Sequence, residues 1–525
     1  MTVFAAGFDA PGIWAPAELP AGLLAPQGTQ TLRVASYPYG SAESRGSNAS
    51  ALYWPPRILS DVVVQQSAID AVGMGGVLAL SAADIELADG DDWSAALDRY
   101  DTAVGRAATL RQVAARNSQA TDLGTHWLDA PTVFAGVVRA IRRVGGQRAR
   151  VSLGDITDRL NAPLQPTLYQ GTGSTEGDAG LKGRPKPVCL GQCFNVPGVF
   201  LGNLDLGAGS LPTYQVHWRA VEAIDAVRIR GVTQTLVGGT PVTGQARTWL
   251  AQGMFQLGAS PDGEVRADVR GDNTPAFASS TPAVLDRLLQ SLGAQYTLAE
   301  LDQVAWADAT VALPGAIGFF QGPEPTGAAQ AVQSICAGAG CVVAGGRIGQ
   351  VRLFDPIATG APQFDVRSEW VIEAEPIPLP QALAPLPIAV RVAWGRNWGP
   401  FSGVAGSVAA ADRLRLEGSE VQLSRVACPG NQARVALQRS LDLPGLYYAE
   451  SDANARASLM AAWADTAPRA MRIVTDRYLG QVDLGHIGRV TYPAFGLAAG
   501  FTGVVMGWRE SLTARRVEFT LVGAG

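Results

Sequence analysis

The amino-acid sequence predicts a mixed, β-rich, multidomain chain with one small α/β module inserted among its β domains. Three observations carry that expectation. At 525 residues the chain is longer than one hydrophobic core usually serves, so about three or four domains are expected. Short runs of Val, Ile, Leu, Thr and aromatic residues recur along most of it, separated by Gly, Asp and Pro turn chemistry. From Ser280 the apolar residues change to helical spacing.

In chain order, residues 1–30 are rich in Pro and Ala and read as an extended arm. Residues 31–165 read as a β-sandwich or barrel. Its candidate strands are Thr31–Val34, Asp61–Gln65, Gly76–Leu80 and Thr132–Val138, with a solvated turn at Asp89-Gly90-Asp91 and a helix near Trp93–Tyr100. Residues 166–275 hold a Gly/Lys loop followed by a second β region, with strands at Ala223–Ile229 and Val265–Gly271. Residues 276–360 form the α/β module. Pro282 opens a helix whose Val284, Leu285, Leu288, Leu289 and Leu292 share one face, and Gly293 stops it. Thr297-Leu298-Ala299-Glu300 has capping-box spacing and should open a second short helix, and a third helix is expected over Thr326–Ala337. It leads into a hairpin, Cys341–Ala344 and Arg347–Phe354, with Gly345-Gly346 as a two-residue type I′ turn. Residues 361–525 return to β structure after a proline-rich connector. They carry one helix, Ala453–Ala464, and strands at Met471–Thr475, Ile487–Tyr492, Gly503–Arg509 and Arg516–Val522.

Composition narrows the function. Hydrophobic residues make up 47% and charged residues 17%, so much of the surface is expected to be covered by something other than water. A net charge of −5 argues against nucleic-acid specificity, and no apolar run is long enough for a membrane span. The N-terminus lacks the basic and apolar regions of a signal peptide, which implies synthesis in a cytoplasm. Of 41 Lys and Arg residues only Lys182 and Lys186 are lysines, and both fall in Leu181-Lys182-Gly183-Arg184-Pro185-Lys186-Pro187. The glycine-rich stretch before it predicts a mobile arm, and the two prolines predict a stiff cationic end. Lys182, Arg184 and Lys186 therefore read as an interface loop; a catalytic lysine would want burial.

No catalytic constellation emerges. His126, His217 and His486 are far apart and read as buried, hydrogen-bonded side chains. Cys189 with Cys193 and Cys336 with Cys341 are the nearest thing to a metal signal, four thiolates that zinc or an iron–sulfur cluster would need. Neither spacing is C-x-x-C, so the preferred reading is small buried hydrophobes and no cofactor. Nucleotide-binding and hydrolase motifs are missing.

The segment Leu164–Pro187 resembles a hallmark of phage tail-tip (baseplate hub) proteins. It contains Thr167-Leu168-Tyr169-Gln170-Gly171, then Glu176-Gly177-Asp178, then the lysine stretch. Asn195-Val196-Pro197, Tyr214-Gln215-Val216-His217, Asp483–Val490 and Arg515–Gly523 are similar to the same proteins. The resemblance implies tail-tube-like β domains, assembly with itself as a ring, usually a trimer, and a virion location at the tail tip. It also implies neighbours: the distal tail protein, the tape measure protein and a central fibre or spike. It carries over no catalytic residue. Two other functions stay open on the residues alone. A peptidoglycan hydrolase would need two carboxylates about 5–9.5 Å apart across a cleft, and a receptor-binding adhesin would expose aromatic platforms.

Overall fold

The computed structural model describes residues 2–11, 29–35, 39–42, 51–54, 57–60, 62–72, 75–78, 83–90, 94, 105–114, 132–207, 209–418, 421–477, 482–511 and 516–525. The helix expected near Trp93–Tyr100 and His126 lie outside them.

The N-terminal sheet has six antiparallel strands in the order Thr29–Ala35, Thr2–Pro11, Ala107–Ala114, Thr132–Gly145, Arg148–Gly154, Ala83–Ala88. Residues 2–11 form a strand, in which 5–11 pair with Thr29–Ala35 and 2–8 with Ala107–Ala114. Along Arg148–Gly154 the period-two pattern is plain: Ala149, Val151 and Leu153 are buried while Arg148 and Arg150 are exposed. A hairpin that the sequence reading passed over joins this strand to Thr132–Gly145. Its loop is Gly146-Gln147, with φ of 59° and 57°, the positive pair that a type I′ turn requires. Asp89 is not the solvated turn residue expected. It is fully buried and accepts hydrogen bonds from Ser94 N and Oγ at 3.0 and 2.6 Å.

A nine-stranded sheet follows, ordered Val199–Asp205, Ser210–Gln215, Met254–Leu257, Gln245–Trp249, Val232–Leu236, Val221–Ile229, Val265–Asp272, Val188–Pro197, Gly318–Gln321. All its pairings are antiparallel except Val232–Leu236 with Gln245–Trp249. Val265–Asp272 buries Val265, Ala267 and Val269 on one face and carries Arg266 and Arg270 on the other, as its alternation predicts.

Between the last two strands of that sheet begins the α/β module, with helices α1 (Thr281–Ser291), α2 (Gln303–Ala312) and α3 (Ala328–Ala339). The expected face of α1 is buried, and the Thr297/Glu300 capping box forms on a single 3₁₀ turn just before α2. The hairpin strands are Val342–Gly345 and Val351–Phe354. The Gly345-Gly346 turn is not of the two-residue type. Gly345 pairs with Val351, and residues 346–350 form a longer loop closed by Gly346 N donating to Gln350 O at 2.6 Å. The reason is Arg347, whose side chain is drawn into the interior and cannot sit at the outer corner of a tight turn.

The C-terminal region holds a seven-stranded sheet containing Phe364–Val366, Ile487–Val490, Phe501–Ser511, Arg516–Gly523, Arg469–Thr475 and Val371–Ile377, with Val63–Ser67 paired onto Phe501–Ser511. A three-stranded sheet, Gln422–Ala427, Ala389–Trp394 and Ser440–Tyr447, packs beside the long helix over Glu450–Asp465. Two short helices were not expected there, α4 (Ala410–Glu417) and α5 (Pro429–Arg434); the long one is α6. Both are polar enough to give no apolar periodicity. Gly76–Leu78 adds a parallel strand beside Val342–Gly345. Sheets therefore join residues more than 250 positions apart, and one continuous core runs from Ile58 to Val522. No helix among the described residues is long and apolar enough to cross a membrane.

Candidate functional site

The lysine loop is a folded unit, in contrast to the mobile arm expected. Ten backbone hydrogen bonds close it, among them Gly171 N to Glu176 O, Gly183 N to Tyr169 O, Tyr169 N to Arg184 O and Lys186 N to Thr167 O. Its glycines are there for geometry. Gly171 has φ of 68°, and a Cβ at that position would come within 2.6 Å of Lys182 Cβ. Lys186 is tucked in with 11% of its side chain exposed, donates to Glu176 Oε1 at 2.6 Å and lies over the Tyr169 ring. That hydrogen bond holds the Glu176 carboxyl below its ordinary pKa. Tyr169 is buried and donates from its hydroxyl to Gln215 Oε1 at 2.6 Å, which anchors the loop to the nine-stranded sheet. Lys182 and Arg184 point outward. Arg184 reaches Glu324 at 3.3 Å across an exposed pair, and the Lys182 side chain meets no hydrogen-bond or ionic partner among the described residues.

The cysteines separate into two places. Cys189 and Cys193 lie in the core of the nine-stranded sheet, whereas Cys336 on α3 and Cys341 just after it lie in the continuous core. All five cysteines are free and buried, and burial pushes the Cys193 and Cys336 thiols up, away from the thiolate a metal would need. Among the described residues no three His, Cys, Asp or Glu converge on a possible metal position. His217 is fully buried, and its Nδ1 accepts from Cys189 N at 3.0 Å. His486 Nδ1 accepts from Asp483 N at 3.1 Å, and burial, aided by Arg352, brings its pKa down to about 4.

What the sequence reading missed is a cleft of about 820 Å³ bounded by α2, the loop after Gly346, the connection 355–363, α6 and the turn at Gly485–Ile487. Asp302 caps α2, accepting from Val304 N and Ala305 N at 3.2 Å, and Trp306 Nε1 donates to Val351 O at 3.1 Å. These contacts turn Ala305, Trp306 and Ala309 inward and leave Val304 and Val311 facing out. The cleft floor is braced by arginine clamps. Arg352 lies 3.1 Å from Asp302 and 3.7 Å from Asp483. Arg456 donates to both oxygens of Asp355 at 2.6 and 2.9 Å and to Gly340 O at 2.8 Å. Deeper in, Arg347 pairs with Glu510 and stacks 3.7 Å from the Trp508 ring centre. The buried carboxylates of this cleft are thus each held by a guanidinium, and His486 is neutral at pH 7 with Nδ1 already used. The arrangement suits binding against an apolar surface better than proton transfer.

No protein-family model matches the chain, and no curated protein matches it. Among solved structures it is similar to the 43 kDa tail protein of prophage MuSo2 from Shewanella oneidensis, at 9% identity and a TM-score of 0.34, covering 91% of this chain and 94% of that one. A tail protein from Neisseria meningitidis MC58 gives 9% identity and a TM-score of 0.35 over 90% and 94% of the two chains. A chain of the native gene transfer agent virion gives 13% identity and 0.38 over 70% and 91%. At these TM-scores the likeness is loose, and neither fold nor role is drawn from it; the β-rich, multidomain architecture stands on the sheets described above.

Proposed function

We propose that this chain is a structural subunit of a bacteriophage-type tail. In that reading it sits at the tail tip as a ring, most simply a trimer. It joins the distal tail protein on the tube side to a central fibre or spike, and acts without a catalytic centre of its own. The observation that carries this reading is the loop 164–187. The segment through which the sequence resembles tail-tip hubs is a pre-shaped, hydrogen-bonded projection that presents Lys182 and Arg184 outward. A second support is the apolar character of the cleft beside α2, which fits a chain that works against other protein surfaces. A ring subunit needs such surface, because closed cyclic assembly joins one patch to a different patch on the next copy.

The test combines mass measurement of the purified chain, alone and with tail components, with antibody labelling of viral particles. The expected result is a closed oligomer and label confined to one end of the tail. A solitary monomer that is missing from particles and degrades purified peptidoglycan would overturn the reading in favour of a wall hydrolase.

A further inference from the structure

Resting on the ring reading, we infer that the lysine loop of one copy seats in the α2 cleft of the next copy. The cleft side of this contact is apolar where a lone chain should be polar. Val304 and Val311, 69% and 83% exposed, stand two turns apart on α2, with Ile348 at 58% and Leu459 at 50% lining the same cleft. Helix α2 is apolar on its inner face as well, and on its outer face the two valines form an apolar stripe beside the polar Gln303, Asp308 and Thr310. The rim is acidic. Asp302 is spent on the cap and on Arg352, whereas the exposed Asp308 carboxylate has no hydrogen bond or ion pair among the described residues.

The loop side is the counterpart. Lys182 is an exposed ammonium with no partner among the described residues, Arg184 is an exposed guanidinium, and Leu168, 40% exposed, is bridged to Pro185. Positive charge with an apolar shoulder meets an apolar cleft with a negative rim. The two patches are different and lie on one chain, as a heterologous contact requires. Because the loop is already closed by its own hydrogen bonds, little ordering cost is added on docking. Lys186 has a separate part: it holds the loop in shape from inside.

The contact is tested by mixing two variants, Lys182→Cys and Asp308→Cys, under a mild thiol oxidant. The two thiols give up two protons and two electrons to the oxidant as the disulfide forms, and the native cysteines are all buried and do not compete. The expected result is a covalent dimer in the mixture and none with either variant alone. In parallel, Asp308→Lys should weaken self-association tenfold or more, and adding Lys182→Glu and Arg184→Glu to the same chain should restore it. Both sets of changes lie on the surface, so unchanged melting midpoints are expected throughout. Oligomers of normal mass without cross-linking, or unaffected by Asp308→Lys, would overturn this contact while leaving the ring intact. A wild-type chain that stays monomeric even with tail components present would overturn the ring and the contact together.

Discussion

In the lysine loop, Lys186 keeps a small exposed rim and meets one carboxylate, Glu176. Behind the cleft, Arg456 is almost fully buried and divides its donors between Asp355 and Gly340. The two residues carry the same charge and do different jobs. An ammonium is a compact point charge that holds water strongly, so it suits a half-buried site with a single partner. A guanidinium is planar, weakly hydrated and forked, so it can be buried if its donors are met in plane. The near-exclusive use of arginine therefore has a structural use: Arg347, Arg352 and Arg456 tie the hairpin, the cleft floor and α6 to segments distant in sequence.

The largest expected effect comes from breaking the buried clamp. Asp355→Ala leaves Arg456 uncompensated and should cost about 3–5 kcal/mol, read from the denaturant midpoint. Asp355→Leu together with Arg456→Met should recover most of that loss, since an apolar pair removes the stranded charge. A single variant as stable as the wild type would break the comparison.

Acid should act next. His486 has its folded pKa lowered to about 4, so between about pH 6.5 and about 4 the unfolded chain binds the proton more readily. Stability is lost as pH falls through that window, by at most about 3 kcal/mol. Denaturation at a series of pH values should show the slope, and His486→Asn, which keeps an acceptor for Asp483 N, should flatten it. Asp272 gives a separate step. Burial alone would raise its pKa, but the neighbouring His217 and hydrogen bonds from Arg219 overcome this and hold it at about 2. Its contribution is complete above about pH 4 and disappears as pH falls toward about 2, about 2 kcal/mol in all. Asp272→Asn should remove that second slope.

On the loop the effects should be small and local. Glu176→Gln should cost about 1 kcal/mol or less, with faster hydrogen exchange at the amides of Gly171 and Gly183 as the clearer sign. Lys182→Glu should stay within about 0.5 kcal/mol of wild type; a larger loss would mean that its side chain serves the fold.

Two Gly-Gly pairs show how far local reading reaches. Gly345-Gly346 looked like a tight turn and Gly145-Gly146 passed unnoticed, yet Gly146 with Gln147 forms the two-residue hairpin loop. Local turn preference succeeds where nothing pulls on the neighbours. At Gly346 the next residue, Arg347, is claimed by Glu510 and Asp483, more than 130 positions away. The α1 face and the C-terminal strands were legible because their apolar period stands alone. The cleft was not, since its walls come from four separate stretches and its clue was an exposed valine pair on a helix.

By itself the sequence determined the β-rich class, the helical module, the main periodic elements and the singular lysine stretch, since these follow from local spacing and turn chemistry. The tertiary structure alone decided that Val63–Ser67 and Gly76–Leu78 complete distant sheets, that the glycine-rich loop closes on itself through hydrogen bonds, and that arginines brace a cleft. Those outcomes depend on which surfaces meet after the chain closes on itself. Burial and pairing of charge arise only at that stage.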